Sequence, residues 1–252
     1  MKPILRVTSV SKRFGGVVAA QDVDFAVESG EVHGLIGPNG AGKSTIMNLI
    51  SGIYEPDAGE VFIDEVNVTQ ITPHDRARMG LGRTFQTPRF LQRSSIRDNL
   101  LLGTDLADQY GYIRSFLGAR NAEFEAEMER LMRIADFSFN WDDDISSLTY
   151  GQRKLLEIVR SLLSRPRVML VDEPAAGLNP REIENAMALL NMAAMERNIG
   201  VLLIEHSMDM IMNICRQIVV LDFGVVIAHG TPDEVSSNEE VIEAYLGRKR
   251  DA

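Results

Sequence analysis

The stretch GPNGAGKST, Gly37 to Thr45, concentrates more phosphate chemistry than any other part of the chain. It fits the pattern G-x-x-x-x-G-K-[ST] in full. Glycines at 37, 40 and 42 let a backbone curl around a polyphosphate without side-chain clash. Pro38, Asn39 and Ala41 complete the loop, and Ser44 and Thr45 lead out of it. The ring of N–H groups, with the helix start that follows, favours negative charge. Lys43 supplies a cation for β- and γ-phosphates, and the Ser44 hydroxyl is a ligand for Mg²⁺.

VMLVDEP, Val168 to Pro174, supplies the matching acids. Ligands in open α/β sheets bind beyond the carboxyl ends of strands, and this apolar strand ends in Asp172 and Glu173. Asp172 is the candidate to hold Mg²⁺, directly or through water. Glu173 is the candidate to activate the attacking water, as general base or as its orienter. Gln86, after the strand-like run in GLGRTFQ, and His206, closing VLLIEH, stand at comparable places. A lone Gln or His has no chemistry by spacing alone, and Phe14 in SKRFGG reads as a packed or half-exposed strand aromatic.

SLTYGQRKLLE, Ser147 to Glu157, taken alone is an ordinary amphipathic helix. Thr149 can cap it, and Gln152 three residues on can reach back to the cap's N–H, a capping-box spacing. Leu155, Ile158, Val159 and Leu162 form an apolar stripe. A helix start with free N–H groups is also an anion site.

These groups need elements to hold them. The first sixty-odd residues read as short strands, among them ILRVTSV, DVDFAV and EVHGLIG. KSTIMNLISG reads as a helix ending at glycine, and EPDAG as a turn. The middle, from about Ser94 to Leu163, is helix-rich. Beyond it VMLVD, VLLIE and QIVVLD read as strands, alternating with helices over PREIENAMALLNMAAMERN and SMDMIMNIC. Alternating strand and helix implies a parallel sheet covered on both faces. The expected organisation is one domain over 1–252, with an α/β core from 1–93 and 164–252 and a helical lobe over about 94–163.

Composition narrows the function. The chain has 252 residues, is 45% hydrophobic and 25% charged, and carries a formal charge of -10. It therefore lacks the broad basic footprint of a nucleic-acid binder and is ill suited to adhere to an anionic membrane surface. Cys215 is the only cysteine, so no intrachain disulfide forms, and a small buried hydrophobe is its simplest role. The longest apolar runs, such as IVVLDFGVVIA, fall well short of the ~20 residues of a membrane span. Nothing at the start reads as a signal peptide.

The order of the pieces carries a resemblance. Phe14, GPNGAGKST, Gln86, LTYGQ, VMLVDEP and His206, in that order along essentially the whole chain, resemble the ATP-binding-cassette ATPases. The implied fold is a P-loop α/β domain with a mixed or parallel core sheet, an N-terminal antiparallel β subdomain and an inserted α-helical lobe. LTYGQ resembles the family's signature, usually LSGGQ, with Thr149 for serine and Tyr150 for a glycine. The resemblance implies that two cassettes pair head to tail, each ATP lying between one subunit's phosphate loop and the other's signature helix. Thr149, Gly151 and Gln152 would then face the partner's ATP. Phe14 would stack on adenine, Gln86 would sense Mg²⁺ or the attacking water, and His206 would contact the γ-phosphate. AGLN, Ala176 to Asn179, stands at the family's D-loop, where many members have Asp in place of Asn179.

DEPAAGLNP, LLIEHSMD, HGTPDE and AYLG look like the Liv-type ATPases of branched-chain amino-acid uptake, and the extended segment Thr104 to Ser147 resembles the longer of the two. Relatives in that group import urea or short amides. The resemblance implies ATP and Mg²⁺ as cofactors, two membrane permeases docked on the helical lobe, a second cassette ATPase in a homo- or heterodimer, and, indirectly, a periplasmic binding protein. It implies no nucleic acid and no membrane insertion, and a place at the cytoplasmic face of the inner membrane. The alternative is a soluble cassette ATPase of the iron–sulfur assembly type.

Overall fold

The computed structural model describes residues 2–102 and 122–246. Part of the Thr104–Ser147 segment and Gly247 of the AYLG motif lie outside them.

Two sheets divide the strands. β1 (Pro3–Phe14), β2 (Val17–Glu28), β4 (Ala58–Ile63) and β5 (Val66–Asn67) form an antiparallel sheet in the order β2-β1-β4-β5. β3 (Val32–Ile36), β6 (Leu81–Arg83), β7 (Val168–Asp172), β8 (Gly200–Ile204), β9 (Gln217–Asp222) and β10 (Val225–Gly230) form the second, in the order β10-β9-β3-β8-β7-β6. It is parallel except for β10, which returns antiparallel along β9. The opening strands are longer than their patterning suggests. β1 and β2 run 12 residues each, because Gly15 at φ 58 lets Phe14 pair directly with Val17 across a tight turn. EPDAG turns only up to Asp57, and its last two residues already belong to β4.

The helices described are α1 (Lys43–Ile50), α2 (Pro73–Arg78), α3 (Ile96–Leu101), α4 (Ala122–Ile134), α5 (Tyr150–Leu163), α6 (Pro180–Met195), α7 (Met208–Ile214), α8 (Pro232–Ser236) and α9 (Glu239–Leu246). The continuous apolar runs of the central strands follow from burial on both faces. Met169 and Val171 of β7, Val201 and Leu203 of β8, and Ile218 and Val220 of β9 pack with α5 and α6. Their neighbours Leu170, Leu202 and Val219 point the other way, into the core shared with α1 and the antiparallel sheet.

One buried charge orients the phosphate-loop helix. Arg76, 1% exposed, donates to the carbonyls of Leu49 and Ile50 at 2.7 Å each, Thr69 at 2.9 Å and Ile71 at 2.9 Å. Leu49 and Ile50 are the last residues of α1, where carbonyls lack helical partners and a cation is favourable.

Candidate functional site

The loop from Gly37 to Gly42 joins β3 to α1 and is shaped by its neighbours. Gly37 lies at φ 149, and a Cβ there would stand 2.0 Å from the Leu221 carbonyl oxygen. Gly42 lies at φ 107, and a Cβ there would stand 2.3 Å from the Ala19 carbonyl oxygen. The end of β9 and the start of β2 thus close on the loop so tightly that only glycine fits. Gly40, at φ 84, has open space around it. Lys43, 7% exposed, donates from Nζ to the Gly37 carbonyl at 2.6 Å and the Pro38 carbonyl at 3.0 Å. Burial lowers its pKa, while the charges of Glu173 and Asp172 draw it back up.

Asp172 ends β7 and Glu173 directly follows it. The Asp172 N–H donates to the Thr84 hydroxyl at 3.3 Å. Burial raises the Asp172 pKa, the Arg83 guanidinium opposes that rise, and the Glu173 charge adds to it. Glu173 has a left-handed backbone, φ 46, which costs a non-glycine residue about 1–3 kcal/mol. Its N–H donates to the Ile204 carbonyl at 2.8 Å, and its carbonyl accepts from Lys154 Nζ at 2.7 Å. The twisted backbone aims the side chain at two groups. Gln86 Nε2 donates to Oε2 at 2.9 Å, and His206 Nε2 lies 3.1 Å from Oε1. An ionised Glu173 only accepts, so this contact fixes the proton of a neutral His206 on Nε2.

Glu205 braces the loops on either side. It is 4% exposed; one carboxylate oxygen accepts the Ala175 N–H at 2.7 Å, and the other accepts those of His206 at 2.6 Å and Ser207 at 2.9 Å. The turn after Glu173 and the turn that presents His206 are thereby clamped together.

The LTYGQ helix start forms as its spacing predicts. The Gln152 N–H donates to the Thr149 hydroxyl at 3.2 Å, and Gln152 Oε1 accepts the Thr149 N–H at 3.0 Å. A Cβ on Gly151 would stand 2.2 Å from Glu182 Oε1. Glu182 caps the neighbouring helix α6 together with Asn179, through N–H···O bonds of 2.9 and 3.0 Å. Asn179 therefore serves as a cap, which needs a side-chain oxygen and not a charge. Tyr150 lies over Gly177 in the AGLN turn, its ring 3.0 Å from where a Cβ would stand.

The structure thus brings Gln86, Glu173 and His206 into hydrogen-bonded contact and sets Lys43 and Asp172 within their field. Thr149 and Gln152 bond to each other and not to the phosphate loop of the same chain. Phe14, 42% exposed, meets Tyr54 edge to face with ring centres 5.1 Å apart. Sequence reasoning overlooked Glu205, Lys154 and Arg83. The one available signal was position: Glu205 directly precedes His206 at a strand end.

The loop that admits only glycine at 37 and 42, the buried lysine and a strand-end carboxylate whose bare charge is disfavoured by burial together suit a nucleoside polyphosphate with a divalent cation. Comparison with known proteins agrees with the geometry. Residues 20–176 match the family model described as ABC transporter, and residues 225–251 match the model described as branched-chain amino acid ATP-binding cassette transporter. The chain is 36% identical, over 98% of each sequence, to the high-affinity branched-chain amino acid transport ATP-binding protein BraF of Pseudomonas aeruginosa. It is 35% identical over 98% of each to LivG of Escherichia coli, a protein of the same description. Its fold is similar to a crystal structure of an ATP-binding cassette of an ABC transporter in the ADP conformation, with a TM-score of 0.83 and 31% identity, covering 98% of this chain and 100% of that one.

Proposed function

The chain belongs to the ABC transporter family of ATP-hydrolysing subunits, and from that premise we propose that it drives uptake of branched-chain or other hydrophobic amino acids. The observation that carries the substrate class is the match of residues 225–251 to the branched-chain amino-acid cassette model, joined to similarity along the whole chain, at 36% and 35% identity, to BraF and LivG. That segment favours amino-acid import over the iron–sulfur assembly alternative.

In this reading the phosphate loop holds ATP through backbone N–H groups and Lys43, and Phe14 stacks on the adenine. Ser44, Asp172 and Gln86 would hold Mg²⁺, which would offset the charge of the phosphates when bound. It also suits Asp172, where burial and the adjacent Glu173 both disfavour the bare carboxylate. Glu173 takes the proton of the attacking water, and its two carboxylate oxygens are oriented by Gln86 and His206. Thr149, Gly151 and Gln152 meet the γ-phosphate held by a second cassette. ATP binding then closes the pair and hydrolysis reopens it.

No helix among the described residues is long and apolar enough to cross a membrane. The chain reaches the cytoplasmic face of the membrane through two permeases, on a surface formed by the helices and by the segment 87–99 after Gln86. A periplasmic binding protein delivers the solute to them.

Two experiments test this. Affinity purification of the chain from gently solubilised membranes of its host should bring two multi-span permeases and a second cassette ATPase, identified by mass spectrometry. Recovery of soluble partners alone would overturn the transporter assignment. Glu173→Gln should keep ATP binding and lose turnover by at least about 100-fold; wild-type hydrolysis would remove Glu173 from its role.

A further inference from the structure

We propose that Lys154 is a positioning residue for Glu173, tying the backbone of the water-activating glutamate to the signature helix of its own subunit. The proposal rests on the reading of Glu173 given above.

Lysine is almost never fully buried without a reason, yet Lys154 is 3% exposed. Its ammonium donates to the Glu173 carbonyl at 2.7 Å and faces the charges of Glu157, Glu205, Glu173 and Asp172. The acceptor matters. Glu173 holds a left-handed backbone that its side chain does not favour, and a bond fixes the peptide on each side of it: its N–H to Ile204, its carbonyl to Lys154. The first comes from the core sheet, the second from α5. Without the second, the carbonyl keeps only the 3.3 Å contact from the Ala176 N–H, and the carboxylate can turn away from Gln86 and His206.

The same helix face extends the link. One turn on, the Glu157 carboxylate accepts the Phe85 N–H at 3.3 Å; a further turn on, Arg160 donates to the Arg89 carbonyl at 2.7 Å. Phe85 directly precedes Gln86. Residues 154 and 157, neighbours on α5 by helical period, therefore hold the main chain at Glu173 and next to Gln86, whose side chains bond to each other, and Arg160 holds it further on at Arg89. The start of this helix, at Thr149, is the part assigned to the partner's nucleotide. Seating that helix start and setting the angle of Glu173 are then one rigid-body event.

The test uses the purified full-length chain, with turnover normalised to nucleotide sites counted by titration with a fluorescent ATP analogue, so that misfolded protein does not enter. Lys154→Met should lower kcat about tenfold or more while analogue affinity and KM stay within about twofold. Lys154→Gln serves under the same criteria should the Met variant prove insoluble. In a Glu173→Gln background, where only residual hydrolysis remains, Lys154→Met should change the rate by less than about twofold, because both substitutions disable the same group. Wild-type kcat in Lys154→Met, or equal slowing in both backgrounds, would overturn the proposal. Wild-type rates in Glu173→Gln alone would instead remove the reading on which it rests.

Discussion

Replacing Glu205 by Gln keeps the shape of the side chain and removes one acceptor and one charge. The carboxylate accepts three backbone N–H groups, at 2.7, 2.6 and 2.9 Å. An amide has one oxygen. Its better orientation keeps the His206 and Ser207 bonds and turns the NH₂ toward the Ala175 N–H, leaving two donors face to face. A lost bond to a charged acceptor costs about 1.5–3 kcal/mol. The two that survive lose charge assistance, roughly half their strength. Relief of a buried charge works in the opposite direction, but Lys154 close by loses a compensating partner. The net expectation is a loss of about 3 kcal/mol. In a chain of this size each kcal/mol moves the unfolding midpoint by about 2–4 °C, so thermal unfolding followed by circular dichroism should show a fall of about 6–12 °C. Turnover should fall as well, because the clamp joins the turn after Glu173 to the one presenting His206. A midpoint within about 2 °C of wild type would refute the idea that these three bonds carry the clamp.

Lys43→Ala should abolish or greatly weaken ATP binding; an unchanged ATP titration would remove the phosphate-loop assignment. Arg76→Met removes the donor from the buried Ile50 and Thr69 carbonyls and should destabilise by about 2–5 kcal/mol in a denaturant titration, whereas an unshifted midpoint would show that the carbonyls find other partners. Cys215 is buried, and burial pushes its thiol up to about 12. Because the folded pKa is raised, the stability this group contributes is fully present below the ordinary thiol value and is lost as pH rises toward 12. At pH 8 the thiol should react with an aromatic disulfide reagent only as fast as the protein opens; immediate stoichiometric labelling would contradict that.

The core strands and their strand-end groups were legible because both faces of the sheet are buried, which writes VMLV, VLLI and IVVL as unbroken apolar runs, each followed by an acidic residue at its carboxyl end. The LTYGQ cap was legible because a capping box is local, closed within four residues. The separate antiparallel sheet is not local: β1 pairs with β4 across more than forty residues, and alternation alone cannot say which partner a strand takes. The roles of Glu205, Lys154 and Arg76 were not legible for another reason. Each acts on backbone groups brought near it only by the completed fold, and an isolated charge in a sequence looks the same whether it meets solvent or three N–H groups. Of the residues assigned to ATP and Mg²⁺, the loop glycines were read from pattern, whereas the contact of Gln86 and His206 with one carboxylate emerges only from the topology.

The strand order has a consequence for how the protein is made. β3, which carries the phosphate loop, lies between β8 and β9. Its five buried residues, VHGLI, leave the ribosome well before both neighbours, which lie far downstream at Gly200–Ile204 and Gln217–Asp222. At ordinary synthesis rates the interval is on the order of 10–40 s for roughly 190 residues. Through that time the β1–β2 hairpin can form and fold back on itself, but the nucleotide strand has two open edges. A nascent chain of this kind is exposed to mispairing until Asp222 has emerged, and until then the wall that Leu221 forms against Gly37 is missing.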